Sequence, residues 1–376
     1  VQHTTIDAFG SPSLSRLDGV RRIAALRANA LGDLLVALPA LQSVKAAYPE
    51  AELVLLGLDW HRGFLEGRPG PVDRVIVLPP VRGVSTPDHE PAPAEPPPAF
   101  LAAAQAERFD LALQLHGGGR YSNPFVRRLG ARLTAGLRAL GSEPLDRWAR
   151  YVYFQPEVLR YLEVAALVGA PPVTLQGRVM VTGADLEEAN AALRWAGAPD
   201  TGRLVAIHPG AGDPRRRWPA ERFARVADEL AGGGATVTLT GTAGERPLTA
   251  AVAAAMRHPA ADLAGRLSLG GLAGLLARCA LVIGNDTGPL HLARAVGAAT
   301  VTIYWVGNLF NSGPVGRAHH RSAVSWTLSC PVCGMLALEE RCEHDPSFVT
   351  SVPVEAVLDE ALDLLSTSLS DVISTK

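Results

Sequence analysis

Leu281-Val282-Ile283-Gly284-Asn285-Asp286-Thr287-Gly288-Pro289-Leu290-His291-Leu292-Ala293 sets the fold class. Leu281–Ile283 is a short, wholly apolar run, which suits a strand buried on both faces. Glycine and proline then break the pattern, and Leu290–Val296 resumes at helical spacing. Pro289 fits a first helical turn, and Asp286 or Thr287 can cap it. A strand, a tight loop and a helix in that order make half of a βαβ unit. The free N–H groups opening such a helix, beyond the carboxyl end of a parallel strand, attract anions. His291 on the same turn goes beyond what capping alone requires.

The same alternation extends in both directions. Downstream, Thr300–Tyr304 is a strand and Val354–Leu365 an amphipathic helix. Upstream, strands are expected at Leu204–Ile207 and Thr236–Leu239. Helices are expected at Asp185–Trp195, Pro219–Ala231, Glu245–Met256 and Leu272–Cys279. The first half repeats the theme with strands Ile23–Leu26, Leu53–Leu56, Val75–Leu78 and Leu111–Leu115, and a helix Asp33–Ala47 ended by Pro49. The class is therefore α/β, as two parallel-sheet domains facing a cleft. The boundaries expected are a loose leader 1–19, a first domain 20–175, a second 176–352 and a closing helix 353–366. Gly169–Gly177, with Pro171 and Pro172, reads as the linker. Eight of the twenty residues from Pro79 to Pro98 are proline. That density predicts a mobile or extended polyproline loop, placed where loops often cover a site.

Composition narrows the function. With 35 Lys+Arg against 37 Asp+Glu the net charge is −2, so a general nucleic-acid binder is not expected. Only Lys45 and Lys376 are lysines; the other basic residues are arginine. No apolar run approaches the roughly 18 residues of a membrane span, and residues 1–20 lack the apolar core of a signal peptide. Four cysteines in 376 residues are no disulfide scaffold. These features lead us to expect a cytoplasmic globular protein.

In the second half three loops, that of Asp286 among them, carry groups suited to a nucleotide diphosphate. After Leu204–Ile207 come His208-Pro209-Gly210-Ala211-Gly212-Asp213-Pro214 and the run Arg215-Arg216-Arg217-Trp218-Pro219. Small residues let a phosphate approach backbone N–H groups, and arginine supplies charge-assisted hydrogen bonds. A glycine turn with solvated arginines has the same sequence. Gly241-Thr242-Ala243-Gly244-Glu245 places a carboxylate where dinucleotide folds bind ribose, or simply a charge in a first helical turn. In the first half, Arg27-Ala28-Asn29-Ala30-Leu31-Gly32-Asp33 ends a strand with a carboxylate that is either a helix cap or a catalytic group.

In this order the segments resemble glycosyltransferase family 9, the heptosyltransferase-like family of lipopolysaccharide core assembly. The resemblance rests on Arg27, Gly32, Asp33 and Pro39; His208-Pro209-Gly210; Arg216-Arg217-Trp218-Pro219; Gly241 with Glu245; and Asp286-Thr287-Gly288-Pro289-Leu290-His291-Leu292-Ala293. It spans about Arg22 to Leu365 and implies a GT-B fold, with the acceptor in the first Rossmann-like domain and the nucleotide-sugar donor in the second. It further implies an ADP-heptose donor and an inverting transfer to a glycan or glycolipid, without a catalytic metal. By position Asp33 is the general base. Ala211, Gly212, Arg216, Glu245, Leu267, Asp286, Thr287, Gly288 and His291 line the donor: Glu245 on the ribose, Leu267 near the adenine and the rest on diphosphate or sugar. Arg216 stands where the family commonly has lysine, and Ala211 and Gly212 where hydroxyl residues are common. His116, Arg120 and Arg127 fall on the acceptor side, where a solvated basic helix face is the competing reading. A glycolipid acceptor would bring the protein to the inner face of the membrane.

Two alternatives share the fold: a nucleotide-sugar epimerase, and a sugar-nucleotide binding protein without turnover. Separately, Cys330, Cys333, Cys342 and His344 form C-x2-C-x8-C-x-H, four soft ligands compatible with a structural zinc. Cys279, at a helix end, reads as a small core residue.

Overall fold

The computed structural model describes residues 15–199, 202–338 and 340–374, together with two short paired segments, Thr5–Ile6 and Pro12–Ser13. Most of the expected leader lies outside the described residues. The chain divides into two compact units, Val1–Met180 and Val181–Lys376.

The first unit contains a six-stranded sheet of β1 (Arg22–Leu26), β2 (Glu52–Gly57), β3 (Arg74–Val77), β4 (Leu111–Gln114), β5 (Leu133–Arg138) and β6 (Arg147–Arg150). The second contains β7 (Arg203–His208), β8 (Ala235–Leu239), β9 (Ala261–Asp262), β10 (Leu281–Asn285), β11 (Ala299–Trp305) and β12 (His320–Ser325). Spatially the order is β3-β2-β1-β4-β5-β6 in one and β9-β8-β7-β10-β11-β12 in the other. Every pairing within these sheets is parallel. Each unit therefore has the Rossmann order, in which the chain leaves the two central strands toward opposite edges. A crevice opens at the carboxyl ends of those strands. The central strands are β1 and β4 in the first unit and β7 and β10 in the second. The loops that follow them carry most of the residues singled out from the sequence.

The helices of the first unit are α1 (Leu31–Ala47), α2 (Asp59–Leu65), α3 (Pro98–Ala106), α4 (Ser122–Arg127) and α5 (Glu157–Leu167). Those of the second are α6 (Gly183–Trp195), α7 (Ala220–Gly232), α8 (Arg246–Ala255), α9 (Leu269–Arg278), α10 (Gly288–Ala295), α11 (Val306–Ser312) and α12 (Val354–Ser374). Helix α7 buries Phe223, Val226, Ala227 and Leu230 against the second sheet, where Trp218 meets Phe223 edge-on. That stripe recurs every three or four residues, which is why the sequence reads as helix there.

Three expectations need correction. Helix α1 starts at Leu31, two residues before Asp33, so Asp33 is not the N-cap residue; it lies inside the first turn, where its side chain accepts the N–H of the N-cap residue Ala30. The proline-rich segment 79–98 is not a loose excursion. Val81 and Val84 are buried in the core of the first unit. The Val81 carbonyl accepts from the N–H groups of Val84, Ser85 and Thr86, while Arg82 N–H donates to Pro93. Finally, β5, β6, β9 and β12 were not anticipated. They are short, or carry Arg, Thr, Ser and Gly in place of the apolar residues that mark the inner strands.

Candidate functional site

In the first unit the loop after β1 delivers Arg27, which is fully buried. Its Nη2 donates to Asp33 Oδ1 at 2.7 Å and its Nε to the Asp33 carbonyl at 2.8 Å. Its Nη1 donates to Tyr161 Oη at 2.7 Å and to the Leu115 carbonyl at 2.9 Å, and its guanidinium lies over the Tyr161 ring. Burial works against this charge, but Tyr161, Asp33 and Glu157 keep the guanidinium protonated. The second Asp33 oxygen, Oδ2, accepts the Ala30 N–H at 3.1 Å. Asp33 is thus fixed through both oxygens while its side chain stays about one-third exposed. Each carboxylate oxygen has two lone pairs, so one more proton donor can be accepted.

Asp33 lines a cavity of about 680 Å³ with Asn29, Trp60, Asp88, His116 and Arg120. The glycine loop after β4 forms one wall. Gln114 ties it down, donating to the carbonyls of His116 and Gly117 and to Ser122 Oγ. The proline-rich segment forms another wall. Gly83, at φ +69°, lies so close to Tyr121 that a Cβ there would sit 2.2 Å from the ring, so only glycine permits this approach. His116 Nδ1 faces the Ala28 N–H at 3.4 Å. Burial, helped by the Arg27 charge, lowers its pKa to about 3, so the imidazole is neutral. Arg120 also lines the cavity. Arg127 does not: it points to the Pro144 carbonyl and to Glu143, and is a brace for the 143–144 turn rather than a wall of this site.

In the second unit the loops after β7, β8 and β10 converge. The loop after β7 is clamped by the buried Asn285, whose Nδ2 donates to the Pro209 and Gly210 carbonyls and whose Oδ1 accepts Trp218 N–H. The three arginines then take different tasks. Arg215 is engaged by Asp213 at 2.6 Å and lies over Phe348. Arg217 Nε donates to the Ala211 carbonyl at 2.9 Å, bracing its own loop. Arg216 reaches across to Asp286, donating to its carbonyl at 3.1 Å and to Oδ2 at 3.3 Å.

Asp286 is the hub. Its Oδ2 also accepts Asn308 Nδ2 at 2.9 Å, while Oδ1 accepts Ser312 Oγ at 3.1 Å and lies 3.5 Å from His291 Nε2. Burial opposes its ionisation, but His291, Arg216 and Asn308 hold the carboxyl down at about 2. His291 Nδ1 in turn meets Arg294 Nη2 at 2.5 Å. Asp286 therefore turns inward and caps nothing. Thr287 occupies the N-cap position of α10, but its hydroxyl bonds back to the Asn285 carbonyl and no side chain caps the helix. The Gly288 N–H at the positive end of the helix is thereby left available to an anion, whereas Pro289 has no N–H and those of Leu290 and His291 donate to the Thr287 carbonyl.

Glu245 approaches from the next loop. Its Oε2 accepts the N–H and hydroxyl of Thr242 at 2.8 and 2.9 Å. Burial opposes ionisation here too, yet the Thr242 bonds keep the carboxyl below the usual range. Its Oε1 lies against Gly210, where an added Cβ would fall 2.0 Å away. Ala211 is buried and Gly212 exposed on the same loop. Gly265 seats the half-buried Leu267 loop on the Ala243 backbone and donates its N–H to the Gly241 carbonyl at 2.8 Å. Asn285, Asn308, Ser312 and Arg294 in this unit, and Tyr161 and Glu157 in the first, were missed from sequence. They are polar residues on later elements, and only folding brings them to the loops they serve.

Three comparisons relate the chain to known proteins. Residues 99–330 match glycosyltransferase family 9 (heptosyltransferase). The chain belongs to that family. Among curated proteins, lipooligosaccharide heptosyltransferase 2 of Haemophilus influenzae is 32% identical over 106 residues, 27% of this chain and 31% of that protein. The chain thus aligns with about a third of the length of that relative. Among solved structures, the family 9 glycosyltransferase of Veillonella parvula superposes with a TM-score of 0.75 at 23% identity, covering 94% of this chain and 99% of the other. Escherichia coli ADP-heptose lps heptosyltransferase II gives 0.69 at 18%, covering 93% and 99%. At these identities the likeness speaks for the fold, which is GT-B: two Rossmann-like parallel-sheet units. No helix among the described residues is long and apolar enough to cross a membrane.

Proposed function

We propose that this chain is an inverting, metal-independent glycosyltransferase. It moves a heptose-like sugar from an ADP-sugar to a hydroxyl of a glycan or glycolipid. The observation that carries the reading is Asp33, fixed by the buried Arg27 at the wall of a cavity large enough for a sugar acceptor. In a single displacement the acceptor oxygen attacks the anomeric carbon as ADP leaves from the opposite face. Asp33 takes the hydroxyl proton while that bond forms. Negative charge then grows on the departing diphosphate, where Arg216 and the uncapped start of α10 stabilise it without rearranging. Glu245 accepts hydrogen bonds from the ribose, and Leu267 flanks the adenine. His116 and Arg120 meet the acceptor, His116 as a neutral hydrogen-bonding partner. A cytoplasmic chain of this kind works at the inner membrane face when its acceptor is a glycolipid.

The test is transfer from ADP-heptose by the wild type and by Asp33→Asn, with ADP affinity measured on both. We expect kcat to fall by ~10² or more, the scale of a lost general base, with ADP affinity unchanged and initial rates indifferent to EDTA. An unaltered kcat removes Asp33 from the role. Prompt loss of activity restored by Mg²⁺ overturns the metal-free mechanism. An epimerase would instead isomerise the donor with no acceptor present.

A further inference from the structure

Cys330, Cys333, Cys342 and His344 lie outside the site described above, in the same unit as the donor loops. Their four ligand atoms all fall within 4.8 Å of one another. Tetrahedral zinc with Zn–S near 2.3 Å needs ligand atoms about 3.8 Å apart, so a contraction of about 1 Å would close the set. The local backbone is already shaped for it. Ser329 and Leu336 form an antiparallel bridge, Cys330 N–H donates to the Met335 carbonyl at 2.8 Å, and Gly334 N–H donates to the Cys330 carbonyl at 2.9 Å. Gly334 makes the tight return at φ +74°.

Of the segment's described residues, Cys330, Ala337, Leu338 and Cys342 pack on the core of the second unit, but much of its apolar surface is unburied. Trp326, Leu328, Val332, Met335 and Leu336 are all exposed, and Cys330 is the cysteine of the set that is buried. All three cysteines are free, and an odd number cannot be satisfied by disulfides alone. Short segments without enough apolar burial are commonly fastened by a metal. Fastening here has a reason, because the residues that follow are stitched to the arginine loop. Phe348 N–H donates to the Arg215 carbonyl at 2.7 Å, and Ser347 Oγ to the Arg217 carbonyl at 2.6 Å.

We propose that Cys330, Cys333, Cys342 and His344 hold one structural zinc ion that staples segment 326–345. Four protein ligands leave no open position, so the ion takes no part in the transfer. Three thiolates with one imidazole select zinc over the hard, oxygen-seeking cations.

The experiment measures metal content of the full chain purified without chelator or added metal, followed by exchange of the bound ion for cobalt. One zinc per chain is expected. The cobalt form should show thiolate charge-transfer absorption and the ligand-field bands of a tetrahedral site. Cys333→Ser, at an exposed ligand, should lower zinc to well under one-half per chain, and His344→Ala should do the same. Both variants should melt below the wild type yet remain folded by circular dichroism. Stoichiometric iron, absence of any metal, a disulfide among the three cysteines or an octahedral cobalt spectrum each overturns the proposal. Unchanged zinc content in both variants does so as well. None of these readings depends on transferase activity.

Discussion

Arg216 and Asp286 illustrate how a charge is kept ready at a binding site. The Asp286 carboxylate is buried and fully occupied by Arg216, Asn308, Ser312 and His291. It holds the Arg216 guanidinium at the start of α10 rather than leaving it to sweep through solvent. Holding the side chain in advance spares the bound state part of its ordering cost. Arg216→Ala should weaken ADP binding by about 1.5–3 kcal/mol, the range for a hydrogen bond to a charged group, as read by titration calorimetry. Equal affinity would move the phosphate contact elsewhere, although Arg215 and Arg217 are already engaged by Asp213 and the Ala211 carbonyl. The sequence pointed to Arg216 only through its place in a motif. Nothing in a run of three arginines tells which one turns toward Asp286, because that depends on a loop 70 residues away.

At the scale of elements, the loops behave as one assembly because close backbone approaches join them. Gly210 lies against Glu245 Oε1, so Gly210→Ala must push that carboxylate aside. The substitution should weaken ADP binding about as much as Glu245→Gln does, and the double variant should lose little more than either alone. Contacting residues that act through one group are not additive. Additive losses by calorimetry would show that the two work independently. The central strands were legible in sequence because a strand buried on both faces has no polar alternation to confuse it. The outer strands were not. In β6, Arg147-Trp148-Ala149-Arg150, partly buried and exposed residues alternate, so no apolar run marks it. Segment 79–98 was misread for a related reason. Proline density announces the absence of regular structure, but says nothing of the two valines that anchor the segment in the core.

Across the whole molecule, acid is the expected weakness. Burial lowers the pKa of His61 to about 4, His116 to about 3 and His320 to about 4, and lowers that of His208 as well. In the unfolded chain these imidazoles take up protons below about pH 6.5. The unfolded state then binds more protons, so stability falls as pH drops from about 6.5 toward 4, by at most about 1.4 kcal/mol per pH unit for each histidine. Asp228 and Asp286, both held near 2, work in a lower window. Their contribution is present above about pH 3.8 and is lost only below it. Melting temperature should therefore decline between pH 7 and 5; a flat profile would contradict the neutral histidines. The repeated strand order has a thermodynamic consequence of its own. Each unit closes its own sheet and its own core, which makes each a candidate cooperative unit in calorimetry. ADP at about 100 times its dissociation constant adds about 2.7 kcal/mol to whichever unit binds it. The heat-absorption curve should accordingly resolve two steps, with nucleotide raising the one that belongs to residues 181–376 and leaving the other where it was.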